Sequence, residues 1–395
     1  MSPELLSAVR FFTRETRILS GLAVACGAGG RTEYAMDGEG IREGSVFDLA
    51  SVTKLFTGLC AMKLKEEGLL DFSRPVLSYD PRFTRLGGIT VGDLMSFAVT
   101  VKTPERLDAC PGREAALAAL FASEPGERPE RRVYSDIPAM ILKYVIEAAA
   151  GMPFYDFIRE TVLNPAGMGE TWAKVPPERR ADCQDYSGEH RIEKEKRIVR
   201  ADARRGVPHD PKAAVIQGDT GDLCGHAGLF STLADMERFC RAVLDGKIVS
   251  PESLREMAVN RTGRALPDGT HTQYLGYQCY VRHPEQYYSE IPVYMGARAF
   301  GIGGFTGNHV SMDPVRNVFT VFLGNRVKNR LTVLLPEEGK TFADYGLEAD
   351  GRGEFRWADG EVVPSSVKYV HQKDAHLHSV VMSVLGLKEI PFGDI

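Results

Sequence analysis

The sequence lacks the features that mark secreted, membrane-spanning and nucleic-acid-binding proteins. Its seven cysteines are odd in number and form no C-x-x-C pair, so we predict reduced thiols rather than a disulfide framework. Its formal net charge is −5, and no excess of lysine and arginine indicates nucleic acid or an anionic membrane as a partner. No apolar stretch approaches the length that spans a bilayer. We therefore expect a cytoplasmic protein.

The N-terminus contains a pattern that imitates a short signal peptide. Three arginines precede an apolar run at residues 18–26. That run is at the short limit for a signal peptide, and Glu4 and Glu15 fall in the part that should be positively charged. We predict instead an amphipathic helix followed by the first β-strand of the fold.

The order of strand-like and helix-like segments predicts an α/β fold. At 395 residues, with 43% hydrophobic and 26% charged residues, the chain has an ordinary globular composition and can bury a large core. Strand patterns lie near both ends and helical patterns lie between them. We predict one catalytic unit, 1–395, in which an antiparallel sheet from both chain ends is flanked by helices. Its α/β subdomain would comprise 1–69 and 265–395, and a mainly helical subdomain would comprise 70–264.

The individual elements follow from hydrophobic periodicity and from turn residues. Helices are predicted at 3–16, 52–67, 90–98, 113–123, 137–150, 153–162, 232–245 and 371–386. Strands are predicted at 18–26, 31–36, 272–281, 291–299, 308–312 and 317–323. The polar, charge-dense segment 176–211 is predicted to run over the surface. Its residues do not decide whether it shapes a pocket or mediates assembly, and the oligomeric state is left open.

Ser51 and Lys54 are the most informative pair of residues. Lys54 is the only charged side chain in the segment 52–62, whose apolar residues follow helical spacing. Positions i and i+3 share a helix face, so a buried amine would lie beside the Ser51 hydroxyl and activate it without histidine. The alternative is an N-capping serine and a lysine that extends to solvent. A second match, Ser365 with Lys368, lies in a β-like context with no helix to place the lysine.

The tripeptide Tyr134-Ser135-Asp136 precedes a predicted helix that begins at Ile137. Asp136 or Ser135 is suited to cap that helix. Such a cap would also fix the loop that positions Tyr134, whose phenol can share a proton with a neighbouring lysine amine.

The segment 300–307 is rich in glycine between two strand-like runs. It lacks the third glycine of a dinucleotide-binding fingerprint, because Thr306 stands at that position. Glycines within a strand either allow a ligand or another backbone to come close, or mark a bulge or tight bend. A strand edge pressed against the serine would donate an N–H group to an oxyanion.

The sequence predicts neither a cofactor nor a metal site. His226 has no motif partner and is expected to form structural hydrogen bonds. His371, His376 and His378 do not share one helix face, and neither H-E-x-x-H nor a cysteine pair is present.

Taken in order, these segments resemble the serine β-lactamase and penicillin-binding-protein superfamily, within it the branch of class C β-lactamases, family VIII carboxylesterases and related D-peptidases. Ser51-Val52-Thr53-Lys54 matches the S-x-x-K motif, and Tyr134-Ser135-Asp136 matches Tyr-x-Asn. Ile302-Gly303-Gly304 matches the third motif, usually Lys/His-Thr/Ser-Gly. The resemblance extends over roughly 15–385 and implies the β-lactamase-like transpeptidase fold.

The resemblance also implies roles for particular residues. Ser51 would be the nucleophile, with Lys54 and Tyr134 sharing the acid and base steps in an order that the sequence does not decide. The backbone N–H groups of Ser51 and Phe305 would form the oxyanion hole. The other positions that would face the substrate are Ile302, Gly303, Gly304 and Asp136.

Two departures from the family pattern bear on the substrate. Asp136 stands where the family has asparagine, so an amide that can donate a hydrogen bond is replaced by a carboxylate that only accepts. Recognition of a substrate amide carbonyl is therefore not expected there. Ile302 replaces a basic residue that helps the family's lactamases and peptidases to hold a substrate carboxylate. β-Lactams and peptide C-termini would lose that charge-assisted contact. An apolar residue followed by Gly-Gly resembles the family VIII carboxylesterases.

We therefore expect a serine hydrolase that acts on small or medium uncharged acyl esters through a Ser51 acyl-enzyme, with a small-molecule ester or amide as its partner. An acyltransferase with an alcohol acceptor would share the acylation step. The alternatives are an amide hydrolase of the β-lactamase or D-peptidase type, and a non-catalytic binding protein on the same fold. The intact Ser51, Lys54 and Tyr134 argue against the last alternative.

Overall fold

The structure is a computed structural model that describes residues 2–193, 196–218, 220–287 and 289–394.

The strands, in chain order, are β1 (Gly21–Ala28), β2 (Arg31–Gly38), β3 (Phe47–Asp48), β4 (Val101–Lys102), β5 (Glu124–Pro125), β6 (Thr171–Trp172), β7 (Glu189–Glu193), β8 (Lys196–Arg200), β9 (Phe230–Ser231), β10 (Tyr280–Val281), β11 (Phe300–Gly303), β12 (His309–Asp313), β13 (Val318–Asn325), β14 (Arg330–Leu335), β15 (Glu354–Arg356) and β16 (Val362–Pro364). The helices are α1 (Pro3–Arg10), α2 (Thr53–Glu66), α3 (Val91–Met95), α4 (Arg113–Phe121), α5 (Ile137–Ala150), α6 (Phe154–Ile158), α7 (Asn164–Ala166), α8 (Pro211–Ile216), α9 (Leu233–Leu244), α10 (Pro251–Met257), α11 (Tyr369–Gln372) and α12 (His378–Val384).

The centre of the fold is a six-stranded antiparallel sheet in the order β10-β11-β12-β13-β1-β2. Strand β1 pairs with β13 along its whole length, from Gly21 opposite Asn325 to Ala28 opposite Val318. The N-terminal hairpin β1–β2 thereby joins the C-terminal strands within one sheet. The predicted α/β fold, with an antiparallel sheet built from both chain ends, is confirmed.

Strand β1 is buried on both faces of this sheet. Ala23 and Ala25 belong to a larger core that contains α2 and α5, whereas Leu22, Val24 and Cys26 belong to a second core beneath α1 and α12. Side chains along a strand alternate between faces, and here both faces are covered. This is why β1 is a continuous apolar run in the sequence rather than an alternating one.

Helix α2 carries the serine motif into the larger core. It is the buried helix predicted at 52–67, and it packs against α5, α6 and α10. Gly68, at a φ of 72°, follows the last turn in the left-handed region that glycine adopts readily. The predicted helix and its stop signal are confirmed.

Two predicted strands differ from the structure. Only Tyr280–Val281 of the segment 272–281 forms a strand, and residues 291–299 form turns. Ile291, Tyr294, Met295 and Ala299 are buried in the second core, so the apolar pattern of this segment indicates burial rather than an extended backbone. Pro292 also removes a backbone donor that a strand ladder would need.

The segment 176–211 is more ordered than predicted. It contains β7, which pairs in parallel with β14 and antiparallel with β8. The Glu189 side chain of β7 is fully buried, whereas β8 is mostly exposed. The hairpin was missed because arginines and glutamates dominate its sequence and conceal the short apolar pattern.

No single helix among the described residues is long and apolar enough to cross a membrane. Helices α6 and α7 are joined by the π-helical residues Arg159–Leu163 into one segment, Phe154–Ala166. Helix α5 (Ile137–Ala150) and this segment, bent by 76°, meet the length and composition requirement only when the two are taken together. Ile141 and Val145 of the first helix are fully buried in the larger core, as in the core helices of many proteins.

Candidate active site

Ser51 lies in a short 3₁₀ turn, Ala50–Val52, that connects β3 to α2. Ala50 has a φ of 46°, in the left-handed region that costs a non-glycine residue about 1–3 kcal/mol. Asp48 holds this turn, because its Oδ1 accepts from the Ala50 N–H at 2.9 Å and its Oδ2 accepts from the His209 N–H at 2.6 Å. The turn leaves Ser51 half-buried at the edge of two cavities.

Lys54 is fully buried, and its ammonium group contacts three oxygens. Nζ lies 3.0 Å from Ser51 Oγ, 2.8 Å from Asp136 Oδ1 and 3.2 Å from the carbonyl oxygen of His226. These bonds use all three donors of an ammonium group. The contact expected between positions i and i+3 is present. The alternative, an N-capping Ser51 with a lysine that extends to solvent, is wrong. Lys54 does not reach solvent, and the N-cap of α2 is Val52, whose side chain makes no capping hydrogen bond.

Asp136 connects Lys54 to further charged residues. Its Oδ2 lies 3.1 Å from Lys212 Nζ, which lies 3.3 Å from Asp210 Oδ2. The other oxygen of Asp210 lies 2.9 Å from Nε2 of His226. Burial alone would raise the pKa of the Asp136 carboxyl, but the positive charges around it more than offset burial and hold this pKa far below its usual range. These charges therefore favour the carboxylate form of Asp136.

Asp136, Asp210 and His226 come close enough together to ligate a metal ion. The ammonium group of Lys212 lies within ion-pair distance of both carboxylates, and that of Lys54 is paired with Asp136. The chain itself therefore supplies cationic partners to these carboxylates. His226 contributes the hydrogen bonds expected of it, through its carbonyl oxygen to Lys54 and through its ring to Asp210.

Tyr134 places a buried phenol beside this group. Its ring stacks on that of Tyr280 with 5.6 Å between centroids, and Lys54 Nζ lies 4.8 Å from its centroid. Burial and then the charge of Asp136 raise the pKa of the phenol well above its usual value, while the nearby Ser51 hydroxyl acts in the opposite direction. The phenol oxygen has no well-formed hydrogen bond to any described residue, so it is available to a reacting group.

Replacing Asp136 by asparagine is expected to move the pH dependence of the reaction. Asp136→Asn removes the negative charge that contributes to the raised pKa of Tyr134, so that pKa falls. The limb of the kcat/KM profile that rises with pH, which here reports loss of the Tyr134 proton, should therefore be displaced to lower pH relative to the wild type. Profiles of ester hydrolysis between about pH 5 and 10 test this. Asp245→Asn, which changes an exposed aspartate outside both cavities, is the control and should leave the profile unmoved. A profile of Asp136→Asn that matches the wild type would contradict the effect of Asp136 on Tyr134.

The end of β11 approaches the serine turn closely. A Cβ atom on Gly304 would lie 2.7 Å from the carbonyl oxygen of Leu49, so only glycine fits without a backbone shift. Thr306 and Asn308 tie the following loop to the turn, because their side chains donate to the Asp48 carbonyl oxygen at 2.9 Å and 2.7 Å. Of the two interpretations of these glycines, the close backbone approach is confirmed.

Phe305 and Ile302 lie differently with respect to Ser51. The Phe305 N–H donates to no acceptor among the described residues, and Phe305 lines both cavities beside Ser51. Gly303 lines the smaller cavity. The Ile302 side chain is fully buried in the larger core and lines neither cavity. Because neighbouring strand residues point to opposite faces, a substrate would touch Gly303 rather than the side chain of Ile302.

A methyl group at Gly304 is expected to impair catalysis. Gly304→Ala forces the end of β11 away from Leu49 and displaces the Phe305 N–H from Ser51. Because an error of about 1 Å in position can cost about a hundredfold in rate, kcat should fall by roughly that factor. Gly88→Ala is the matched control, since a Cβ atom there meets nothing within 4 Å. Equal kcat values for the two variants would contradict the role of this close approach.

Several charged residues beside Ser51 were missed by the sequence analysis. Glu290 and Lys373 line the smaller cavity, of about 310 Å³, with 3.2 Å between the carboxylate and Nζ. Asp210 and Lys212 line the larger cavity, of about 540 Å³. Asp210 precedes a proline and caps α8, accepting from Ala213 N–H at 2.9 Å, so its sequence context indicates a helix start and conceals its place in the site.

Solved structures show the same fold at low sequence identity. EstA from Arthrobacter nitroguajacolicus Rue61a is 16% identical, with a TM-score of 0.63 over 97% of this chain and 98% of that chain. The D-amino acid amidase from Ochrobactrum anthropi SV3, complexed with L-phenylalanine amide, is 15% identical, with a TM-score of 0.62 over 96% and 98%. These likenesses establish the β-lactamase-like fold.

Sequence comparisons establish the family. A protein of Salmonella gallinarum (strain 287/91 / NCTC 13346), whose name assigns it provisionally as a D-alanyl-D-alanine carboxypeptidase, is 26% identical over 313 residues. The match covers 71% of this chain and 69% of that protein. The model of the beta-lactamase family matches residues 12–337, which is most of the chain. This protein therefore belongs to the beta-lactamase family and is a serine hydrolase.

Proposed function

We propose that this enzyme hydrolyses acyl esters through a covalent acyl-enzyme on Ser51. The observation that supports this most directly is the hydrogen bond of 3.0 Å that the buried Lys54 Nζ donates to Ser51 Oγ. It gives the serine hydroxyl a fixed neighbour that can stabilise and exchange its proton without histidine. Tyr134, whose phenol oxygen is buried nearby, provides the second proton-exchanging group.

The geometry leads to a two-step reaction. In the reactive form the Lys54–Tyr134 pair lacks one proton, and as Ser51 Oγ attacks the ester carbonyl carbon its proton passes to that pair. The N–H groups of Ser51 and Phe305 donate to the oxyanion. The intermediate then breaks its bond to the alcohol, which leaves with the proton from the pair. Water attacks the acyl carbon in the second step, and the same groups return Ser51 to its free form.

Esters are proposed ahead of β-lactams because strand β11 offers no cation to a substrate carboxylate. Position 302 is a buried isoleucine, and Gly303 has no side chain to donate a hydrogen bond. A β-lactam carboxylate at this edge would meet no charged or hydroxyl side chain of β11, so any charge-assisted contact would have to come from residues outside this strand. An amide hydrolase of the D-peptidase or β-lactamase type is the second candidate, favoured by the name of the Salmonella relative and by the amidase among the similar structures.

A substrate panel tests the proposal. We expect p-nitrophenyl esters of increasing chain length to be hydrolysed faster than a chromogenic cephalosporin, with a mass increase on Ser51 equal to the acyl group. Faster turnover of the cephalosporin would favour the amide hydrolase. Transfer of the acyl group to added alcohols in place of water would identify an acyltransferase. No adduct with any activated ester would favour a non-catalytic binding protein.

We also propose a cytoplasmic location. The support is that all seven cysteine thiols are free and buried, as expected where thiols remain reduced. Fractionation of cells with an antibody against the native protein tests this, and recovery outside the cytosol would contradict it.

A further inference from the structure

The larger cavity beside Ser51 has a cationic lining, although the whole chain carries a net charge of −5. Five of its described lining residues are lysine or arginine and two are carboxylates. The cationic residues are Arg106, Arg132, Arg191, Arg200 and Lys212, and the carboxylates are Asp108 and Asp210. A lining of this composition raises the local concentration of anions.

Some of these cations are neutralised within the chain. Arg106 pairs with Asp108 at 2.7 Å, and Lys212 lies between two carboxylates. Arg191 pairs with Glu193 at 2.7 Å. These three side chains contribute little free charge to a ligand, because each already has an oppositely charged partner.

Arg132 has no such partner. It is exposed, it lines both cavities beside Ser51, and no carboxylate among the described residues lies within 4.0 Å of its guanidinium. It lies two residues before Tyr134 in the chain, so the loop that positions the phenol also positions this charge. A guanidinium at a cavity wall without a carboxylate partner is available for bidentate bonds to a carboxylate or a phosphate.

Arg200 contributes a second cation from strand β8. Its Nη1 donates to the His209 carbonyl oxygen at 2.9 Å, which fixes the side chain, and lies 3.5 Å from Glu189 Oε2. Glu189 also accepts from the His209 ring at 2.9 Å and from Thr332 Oγ1 at 2.6 Å. The His209 ring and Thr332 thus satisfy part of the Glu189 carboxylate, which neutralises the guanidinium of Arg200 only in part. Arg200 therefore still attracts an anion in the cavity.

Arg326 adds a buried positive charge to the smaller cavity, which shares Ser51 and Arg132 with the larger one. Its side chain is 7% exposed and lines the smaller cavity, and its guanidinium lies 5.3 Å from the Phe305 ring centroid. Burial lowers its pKa to about 10, so it remains a cation at neutral pH. Its Nε atom has no hydrogen-bond partner among the described residues, and no described carboxylate lies within 4.0 Å.

We propose that the cleft around Ser51 selects esters that carry an anionic group, a carboxylate or a phosphate, and that Arg132 and Arg200 bind that group while Arg326 reinforces the positive potential. The proposal rests on the ester hydrolysis proposed above and names its substrate class. The expectation of an uncharged ester came from position 302 alone. Arg132 lies on the loop before α5 and Arg200 on the hairpin β7–β8. Both are outside the third motif, so the sequence of that motif gives no information about them.

Two pairs of esters, each matched except for charge, test the proposal. The first pair is p-nitrophenyl butyrate and p-nitrophenyl hemisuccinate, which places a carboxylate on the acyl side. The second is the butyryl ester of 4-hydroxybenzamide and that of 4-hydroxybenzoate, which places it on the leaving group. We expect the wild type to prefer the charged member of at least one pair in kcat/KM. Preference for the neutral member in both pairs would overturn the proposal and leave the esterase function standing.

Substitution of Arg132 identifies the residue responsible. Arg132→Gln should lower the ratio of charged to neutral kcat/KM by roughly three- to tenfold, because it removes a charge-assisted hydrogen bond that solvent partly screens. Arg132→Glu should lower it further. Arg255→Gln, an exposed arginine on α10 outside both cavities, is the matched control and should leave the ratio unchanged. Equal ratios in wild type and Arg132→Gln would overturn the assignment.

Binding of free anions separates this proposal from the ester hydrolysis itself. Glutarate and inorganic phosphate should each raise the Tm of the Ser51→Ala variant, and Arg132→Glu in that background should abolish the shift. The larger shift distinguishes a carboxylate from a phosphate as the preferred group. A shift without hydrolysis of any ester would support the anion site and reject the esterase. Hydrolysis of esters with no change in Tm on adding anions, and with no preference for the charged esters, would support the esterase and reject the anion site.

Discussion

Ser51→Ala is expected to reduce kcat/KM for a p-nitrophenyl ester by about three orders of magnitude or more. The substitution removes the oxygen that Lys54 contacts at 3.0 Å, and the other hydroxyl of the motif, that of the buried Thr53, accepts from the Leu229 N–H at 3.3 Å instead. The residual rate would come from the oxyanion-binding N–H groups and from substrate binding alone. The acyl adduct seen by mass spectrometry on the wild type should be absent.

The chain offers a matched control for this substitution. Ser365 also stands three residues before a lysine, but Lys368 lies over the ring of Phe342, with 4.8 Å between Nζ and the ring centroid. Neither residue lines a cavity beside Ser51. Ser365→Ala should therefore retain wild-type kcat/KM. Esterase activity that survives in Ser51→Ala would reject Ser51 as the nucleophile.

The contact between Ser51 and Lys54 could be predicted because it is local. Three residues separate the two, and apolar spacing alone indicates both the helix and its burial. The close approach of Gly304 was one of two interpretations that the sequence left open, because glycine in a strand also marks a bulge or a tight bend. What the pattern does not give is the partner, here the carbonyl oxygen of Leu49.

The role of Asp136 could not be predicted, because its partners are distant in the sequence. The resemblance associates this position with a substrate amide, whereas the structure pairs the carboxylate with Lys54, 82 residues away, and with Lys212. The arginines of the larger cavity were missed for the same reason. Arg132 and Arg200 line the same cavity, but one lies on the loop before α5 and the other on β8.

Lys54→Met should lower kcat/KM by a factor of about a thousand, comparable to the loss expected for the nucleophile. Methionine has a similar length and fills the buried space, but it neither donates to Ser51 Oγ nor exchanges a proton. Asp136 keeps Lys212 as a partner, so its carboxylate is not left buried and unpaired. The loss therefore belongs to acid–base and electrostatic catalysis, each of which contributes about 10²–10⁴ in comparable sites.

The acylation rate distinguishes this chemical role from a structural one. A rapid release of p-nitrophenol on mixing, equal in amount to the enzyme, reports acylation of Ser51 in the wild type and should disappear in Lys54→Met. Lys63→Met, in the same helix but with a side chain 34% exposed, should keep it. If Lys54→Met retains its Tm to within a few degrees and acylates within about tenfold of the wild-type rate, Lys54 does not activate Ser51. If Tm is retained and the burst is lost, the buried ammonium acts on the serine, because the fold that positions them is unchanged.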